Sequence, residues 1–189
     1  MKRSKYSGFS LLELLVVSTL ISVMLVFMGP SLGAFIERQK VLAQTNELRS
    51  ALAFARNASV SLITNVIICP VDKRGKCSRD WNQPLTVYAD NNGNRRLGPD
   101  DDILKVLPKS LPAHHRHYNN HRIQFDPMGR AGFQAGSLSL CATVDSYQGG
   151  SALIISRMGR TRRGTDRNQD GLPETANGSN IPCKKPSDS

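Results

Sequence analysis

Residues 9–28 are apolar except for Ser10, Glu13, Ser18, Thr19 and Ser22, and no other feature constrains the chain as strongly. At 1.5 Å per residue, about 20 helical residues reach roughly 30 Å, the hydrocarbon thickness of a bilayer. Lys2, Arg3 and Lys5 precede this run. By the positive-inside rule they hold the N-terminal side in the cytoplasm, so the rest of the chain is exported. An ordinary secretory signal is cut behind its apolar region at a small-residue site. No Ala-x-Ala-like site follows Met28, and the small residue before the run is Gly8. Cleavage is therefore expected between Gly8 and Phe9, with the hydrophobic helix retained.

Glu13 needs its own explanation. A carboxylate inside a membrane helix costs about 2.5–3.5 kcal/mol on insertion scales, and such residues are usually functional and paired. Cleavage before Phe9 creates a cationic α-amino group, which can pair with Glu13 of a neighbouring subunit during assembly. The alternative is a plain single-pass anchor whose Glu13 snorkels or is protonated.

The run Gly8-Phe9-Ser10-Leu11-Leu12-Glu13 closely resembles the prepilin leader of type IV pilins and type II secretion pseudopilins. That resemblance implies a prepilin peptidase that cuts after Gly8 and N-methylates Phe9. It also implies that Glu13 guides docking onto other pilins of a filament. Pro30 matches a helix-kinking proline common in these proteins. The resemblance covers only the N-terminal segment.

A chain of 189 residues accommodates one anchor and one globular domain. The expected division is a leader at 1–8, a transmembrane and assembly helix at 9–29, an amphipathic helix half at 30–62 and a periplasmic β-rich domain at 63–189. Gly29-Pro30 predicts a bend, because proline removes a helical hydrogen bond and clashes with the preceding turn. Beyond it, Glu37, Arg38, Lys40, Glu47, Arg49 and Arg56 mark a solvated side, while Leu48, Ala51, Leu52, Ala55 and Leu62 form an apolar stripe at helical spacing.

From Thr64 the periodicity changes. Short runs rich in Val, Ile, Leu and Thr alternate with Gly, Pro, Asn and Asp clusters, which reads as strands and turns. The predicted strands are 65–69, 85–89, 103–107, 122–125, 138–144 and 152–156. No second helical stretch separates them, so an antiparallel sheet is expected rather than βαβ units. The fold class is α+β, and it resembles the pilin lollipop: a long N-terminal helix, part membrane anchor and part amphipathic, packed against an antiparallel β-sheet domain. A sheet-rich domain ending in Gly-Arg-x-Arg is similar to the FimT/GspH group of minor pilins and pseudopilins. No internal repeat is visible.

Four cysteines, an even number in a chain predicted to face the periplasm, favour disulfides. Three pairings are possible. Cys69 and Cys77 are close enough to clip a hairpin, in which case Cys141 reaches Cys183 and staples the tail to the sheet. The spacings do not suit zinc.

Charge is the most informative property of the domain. The chain carries +10, and without Lys2, Arg3 and Lys5 it keeps 22 basic residues against 15 acidic ones. Between Ile103 and Thr165 stand Lys105, Lys109, Arg116, Arg122, Arg130, Arg157, Arg160, Arg162 and Arg163, opposed only by Asp126 and Asp145. The sharpest cluster is Arg157-Met158-Gly159-Arg160-Thr161-Arg162-Arg163-Gly164. On an extended backbone Arg160 and Arg162 project to one side about 7 Å apart. Guanidinium forks bind phosphate oxygens bidentately and remain charged, so two of them can follow a nucleic-acid backbone. Flanking glycines allow close approach to a ligand. Taken alone, such a charge run also fits an ordinary solvated surface.

In FimT-like minor pilins a C-terminal Gly-Arg-x-Arg motif binds DNA during natural transformation. The resemblance places that role on Gly159, Arg160 and Arg162, with Arg157 and Arg163 flanking.

Other constellations carry less. His114, His115, His117 and His121 read as a polar loop after Pro112 rather than a metal site. Asp166-Arg167-Asn168-Gln169-Asp170-Gly171 opens like a calcium loop, but Asn177 stands where the closing glutamate belongs. Asp90-Asn91-Asn92-Gly93-Asn94 is turn chemistry. There is no Gly-x-Ser-x-Gly elbow, phosphate loop or His-Glu-x-x-His pair, so an enzyme is not expected, nor is any cofactor or metal.

The reading is a minor type IV pilin, held in the inner membrane as a precursor with its N-terminus cytoplasmic, then carried into a pilus through the periplasm. Its expected partners are DNA, other pilins, prepilin peptidase and the inner membrane. The alternative is a structural pseudopilin of type II secretion, or a subunit that primes pilus assembly without binding DNA.

Overall fold

The computed structural model describes residues 10–144 and 147–183, and of 24–31 and Tyr147 the backbone alone. Gly8, Phe9, the basic leader and Asp145 lie outside the described residues. The chain divides into two compact units, Met1–Ile36 and Glu37–Ser189.

Helix α1 runs over Leu11–Ser61. Ser10 starts it: its Oγ accepts from the Glu13 amide at 3.2 Å and its carbonyl from the Leu14 amide at 3.2 Å. Glu13 thus sits in the first turn, where a carboxylate complements the partial positive charge of the unpaired amides. The bend expected at Gly29-Pro30 does not break the helix, which carries through both residues. In the first unit the polar side chains turn back on the backbone. Ser18 Oγ donates to the Leu15 carbonyl at 3.0 Å, Thr19 Oγ1 to Val16 at 2.8 Å and Ser22 Oγ to Ser18 at 2.8 Å. With its hydroxyls satisfied this way, the helix presents Leu11, Leu12, Leu14, Leu15, Val16, Val17, Leu20, Ile21 and Val23 as exposed apolar surface. Among the described residues no helix is long and apolar enough to cross a membrane. The side chains at 24–31, which overlap the end of the expected span, are outside the described ones.

In the second unit the strands are β1 Asn65–Pro70, β2 Leu85–Asp90, β3 Asp102–Leu107, β4 His114–His117, β5 Ile123–Phe125, β6 Gly136–Val144, β7 Tyr147–Ile155 and β8 Thr161–Arg163, with a 3-10 turn at Gly132–Gln134. They form two antiparallel four-stranded sheets, ordered β3-β2-β1-β5 and β4-β6-β7-β8, where the sequence pointed to one. Leu48, Ala51, Leu52 and Ala55 of α1 meet Val66, Ile68, Val87, Ile123 and Phe125 of the first sheet and Leu138, Leu153 and Ile155 of the second in one core. Leu62, expected to extend that stripe, instead lies beyond the helix and is half exposed. Aromatics are few but central: Trp81 and Tyr118 meet edge-on at 5.1 Å inside this core.

Strand β4 replaces the expected histidine loop. His114 and Arg116 face inward and His115 and His117 outward. His114 Nδ1 meets Gln44 Nε2 at 2.6 Å and its Nε2 meets Glu37 Oε2 at 3.0 Å. The Arg116 guanidinium donates to the Pro108 carbonyl at 3.1 Å, and Asn82 Oδ1 accepts the Arg116 amide at 2.7 Å. Arg116 is therefore buried and leaves the surface charge. Burial also holds its guanidinium below the usual arginine range.

The outer faces are closed by disulfides. Cys69–Cys77 joins β1 to the following loop beside Ile67 and Tyr88, and Cys141–Cys183 ties the tail over Ala152 and Ile181. In the chain-entropy account, cross-linking over a 42-residue separation constrains the unfolded chain by about 4 kcal/mol, and over an 8-residue separation by about 2.5 kcal/mol. Replacing Cys141 and Cys183 by alanine is thus expected to lower the denaturant midpoint more than replacing Cys69 and Cys77, as read by equilibrium unfolding.

Hydrogen bonds from Lys40 and then His114 hold the Glu37 carboxyl below its ordinary value of 4.5. A depressed carboxylate contributes stability above its unfolded pKa, and that contribution is lost as pH falls through the folded value. Unfolding free energy is therefore expected to drop on acidification below about pH 4.5, with a shallower drop in Glu37→Gln. Denaturant titrations of both proteins across that window check the difference.

Candidate nucleic-acid interface

The basic cluster is a hairpin. Strand β7 ends at Ile155, β8 begins at Thr161, and Leu153 pairs with Arg163, Ile154 with Arg162 and Ile155 with Thr161. The connection closes through the Ser156 amide to the Arg160 carbonyl at 2.9 Å and the Gly159 amide to the Ser156 carbonyl at 2.8 Å. Gly159 has φ +74°, the left-handed position such a turn gives to glycine. Ser156 Oγ accepts the Arg160 amide at 3.1 Å.

Register assigns the arginines to faces. Leu153 and Ile155 point into the core, so Thr161 and Arg163 share their side, and Arg163 reaches Asn46 Oδ1 of α1. Arg162, opposite Ile154, lies on the other face. Arg160 stands one residue before the strand, where its carbonyl accepts the Ser156 amide. Arg157, Arg160, Arg162 and Arg163 are all exposed. Among the described residues no carboxylate makes an ion pair with any of them.

A second turn of the same build lies against the first. Asp126-Pro127-Met128-Gly129-Arg130 closes through the Asp126 amide to the Arg130 carbonyl at 2.9 Å and the Gly129 amide to the Asp126 carbonyl at 2.7 Å, with Gly129 at φ +70°. The two Met-Gly-Arg turns stack glycine to glycine: a Cβ on Gly159 would fall 2.0 Å from the Gly129 carbonyl oxygen. Arg56 of α1 sits beside both and donates from Nε to that oxygen at 2.9 Å. The Arg157 carbonyl accepts the Ala131 and Gly132 amides, each at 3.0 Å. The space at the Gly159 Cβ position is thus filled by turn-on-turn packing. Gly164 is likewise taken up, since a Cβ there would lie 2.5 Å from the Glu174 carbonyl oxygen.

Sequence reasoning missed Arg56, Asn46, Met128 and the fully exposed Phe133 as parts of this surface. The repeated Met-Gly-Arg at 128–130 and 158–160 was the available signal for the first turn. The acidic residues that follow the hairpin stay in their own loop. Glu174 accepts the Arg167 amide at 2.9 Å, Asp166 accepts Gly171 at 2.8 Å, and Asp170 accepts Leu172 at 2.9 Å. Among the described residues no His/Cys/Asp/Glu group is arranged to hold a metal.

The family described as "Type II transport protein GspH" matches residues 44–159, and the "Prokaryotic N-terminal methylation motif" matches residues 3–29. Comparison with curated protein sequences gave no significant match. Among solved structures, the type IV minor pilin FimU of Pseudomonas aeruginosa is similar at 19% identity and a TM-score of 0.51, covering 68% of this chain and 90% of that one. Another crystal form of FimU aligns at 17% identity with a TM-score of 0.47, covering 66% and 93%.

Left-handed backbone costs a non-glycine residue about 1–2 kcal/mol. Gly171 has φ +88° and open space around its Cβ position, so Gly171→Ala should lose about that much. Gly159→Ala adds the clash with Gly129 and should be distinctly less stable than Gly171→Ala in thermal unfolding.

Proposed function

The chain belongs to the GspH family, and from that premise we propose that it is a minor type IV pilin that binds DNA without sequence preference through Arg160 and Arg162. The N-terminal methylation motif marks a prepilin-like, membrane-anchored precursor, processed by prepilin peptidase and assembled with other pilins. The α+β fold is pilin-like. Family and fold are those of structural subunits, not enzymes.

The observation that carries the DNA reading is a hairpin whose arginines are exposed and, among the described residues, without carboxylate partners, while its backbone is pinned. The turn is fixed by its own hydrogen bonds, by the stacked Gly129 turn and by Arg163 on Asn46. Guanidinium groups on a rigid hairpin lose little conformational freedom on meeting phosphates, and phosphate contact carries no base sequence information. In a pilus such a surface captures DNA for uptake in transformation. Arg157 and Arg163 flank the contact, Glu13 serves assembly, and cleavage falls between Gly8 and Phe9.

A second reading has one observation in its favour. The family description names type II transport, and its match ends at Gly159, before Arg160 and Arg162. In that reading the chain is a structural pseudopilin and its arginines face solvent or a neighbouring subunit.

Binding of duplex DNA by the full chain in nonionic detergent, measured by anisotropy across salt, separates the two. Four phosphate contacts give a log–log slope of about −3.6. Arg160→Ala with Arg162→Ala should weaken binding and flatten that slope by about 2. No binding, or binding indifferent to both substitutions, sinks the DNA reading and leaves the structural one.

A further inference from the structure

Beside the stacked turns lies a pocket of about 310 Å³, lined among others by Arg95, Arg122, Gln124, Asp126, Arg130 and Phe133. Three arginines line it against one aspartate. Asp126 is already engaged, with Oδ2 accepting from Arg130 Nε at 2.8 Å and Oδ1 from the Met128 and Arg130 amides at 2.9 Å each. Burial pushes the Asp126 carboxyl up, but these hydrogen bonds outweigh it and hold the group below its ordinary value, so it stays ionised and matched to Arg130. Among the described residues no carboxylate makes an ion pair with Arg95 or Arg122.

Arg122 supplies the second observation. Its Nε is buried and among the described residues has no hydrogen-bond acceptor. A buried guanidinium N–H without an acceptor is costly and leaves the Arg122 charge under-compensated, and the part of this half-buried residue that lines the pocket is where an anion can balance it. Phe133 supplies the third. It is 96% exposed on the Gly132–Gln134 turn, an apolar ring that covers nothing. Its mount is rigid, because the Ala131 and Gly132 amides are tied to the Arg157 carbonyl and Tyr118 Oη donates to the Gln134 carbonyl.

An anion pocket next to a fully exposed aromatic ring has the chemistry of a nucleotide unit, with phosphate on one side and a flat π-face on the other. We propose that this pocket is a second nucleic-acid subsite, seating a backbone phosphate at Arg95 and Arg122 while Phe133 stacks on an unpaired base. It rests on the DNA reading above and extends it, because the pocket joins the hairpin through the Arg157 backbone. It also assigns a preference: the hairpin arginines contact any phosphate backbone, whereas Phe133 contacts only a base released from its own stack. An acidic peptide would satisfy the arginines but leaves the ring without a purpose.

The test compares a fluorescent single-stranded oligo-dT with a closed-end duplex, binding to the full chain in nonionic detergent at fixed salt. Phe133→Ala should weaken oligo-dT binding by about 5- to 150-fold and leave duplex binding unchanged, while Phe133→Trp restores the single-strand affinity. Arg122→Gln should weaken oligo-dT binding as well. The Arg160→Ala, Arg162→Ala double variant should weaken both probes. Because Phe133 packs on nothing, an unchanged unfolding midpoint in Phe133→Ala shows the fold intact. Equal oligo-dT binding by wild type and Phe133→Ala overturns the subsite, as does equal loss on both probes, or competition by polyglutamate as effective as by oligo-dT. If duplex binding still depends on Arg160 and Arg162 in those cases, only the subsite falls. If wild type binds neither probe, both readings fall together.

Discussion

Burial of Leu48, Ala51, Leu52 and Ala55 is the constraint on which the Glu37–Ser189 unit depends. Two alanines in this stripe leave room for backbone to come close, so inner-face residues of two separate sheets converge on about two turns of helix. That convergence sets the strand registers. Side chains alternate along a strand, so a slip of one residue exchanges the two faces. In β7 it would trade Leu153 and Ile155 for Ala152 and Ile154. The same slip carried into β8 would turn Arg163 away from Asn46 and drive Arg162 toward the core. The presentation of the arginines is therefore a consequence of apolar packing on the opposite side of their own hairpin.

Much of this was legible in the chain because it is written in periodicity. The helical stripe from Leu48 to Ala55 and the strands around Ile67, Val87, Leu140 and Ile154 follow spacings that one face of burial imposes. Strand β4 was not legible, because its inward residues are His114 and Arg116. Those positions become buriable only when Gln44, Glu37, Asn82 and the Pro108 carbonyl arrive from distant parts of the chain. The division into two sheets was hidden for a similar reason, since strand order is decided by long-range pairing rather than by any local pattern. The packing of Gly159 was hidden because a glycine between arginines looks like room for a ligand. Only the stacked Gly129 turn shows that the room is already filled. Phe133 carries no local sign of exposure at all, because an isolated aromatic in a loop reads as core.

The positive surface also owes more to the backbone than to composition. Fifteen acidic residues are present, enough to neutralise most of the exposed cations if they faced them. They do not, because turn amides hold several of them first. Asp72 accepts the Arg74 amide at 2.8 Å and Lys76 at 2.9 Å, Asp126 the Met128 and Arg130 amides, and Glu174 the Arg167 and Asn168 amides. Backbone N–H groups thus act as the counter-charge for these carboxylates, and hydrogen bonding lowers the Asp72 and Asp170 carboxyls from their ordinary values. Among the described residues Asp72 and Glu174, held in their turns, form no ion pair with an arginine, whereas Asp126 takes its own neighbour Arg130 as well. With a Debye length of about 8 Å at physiological salt, distant net charge is screened and local pairing decides the field at a surface. Arg160 and Arg162, without an ion pair among the described residues, therefore weigh more at this surface than the overall excess of +10.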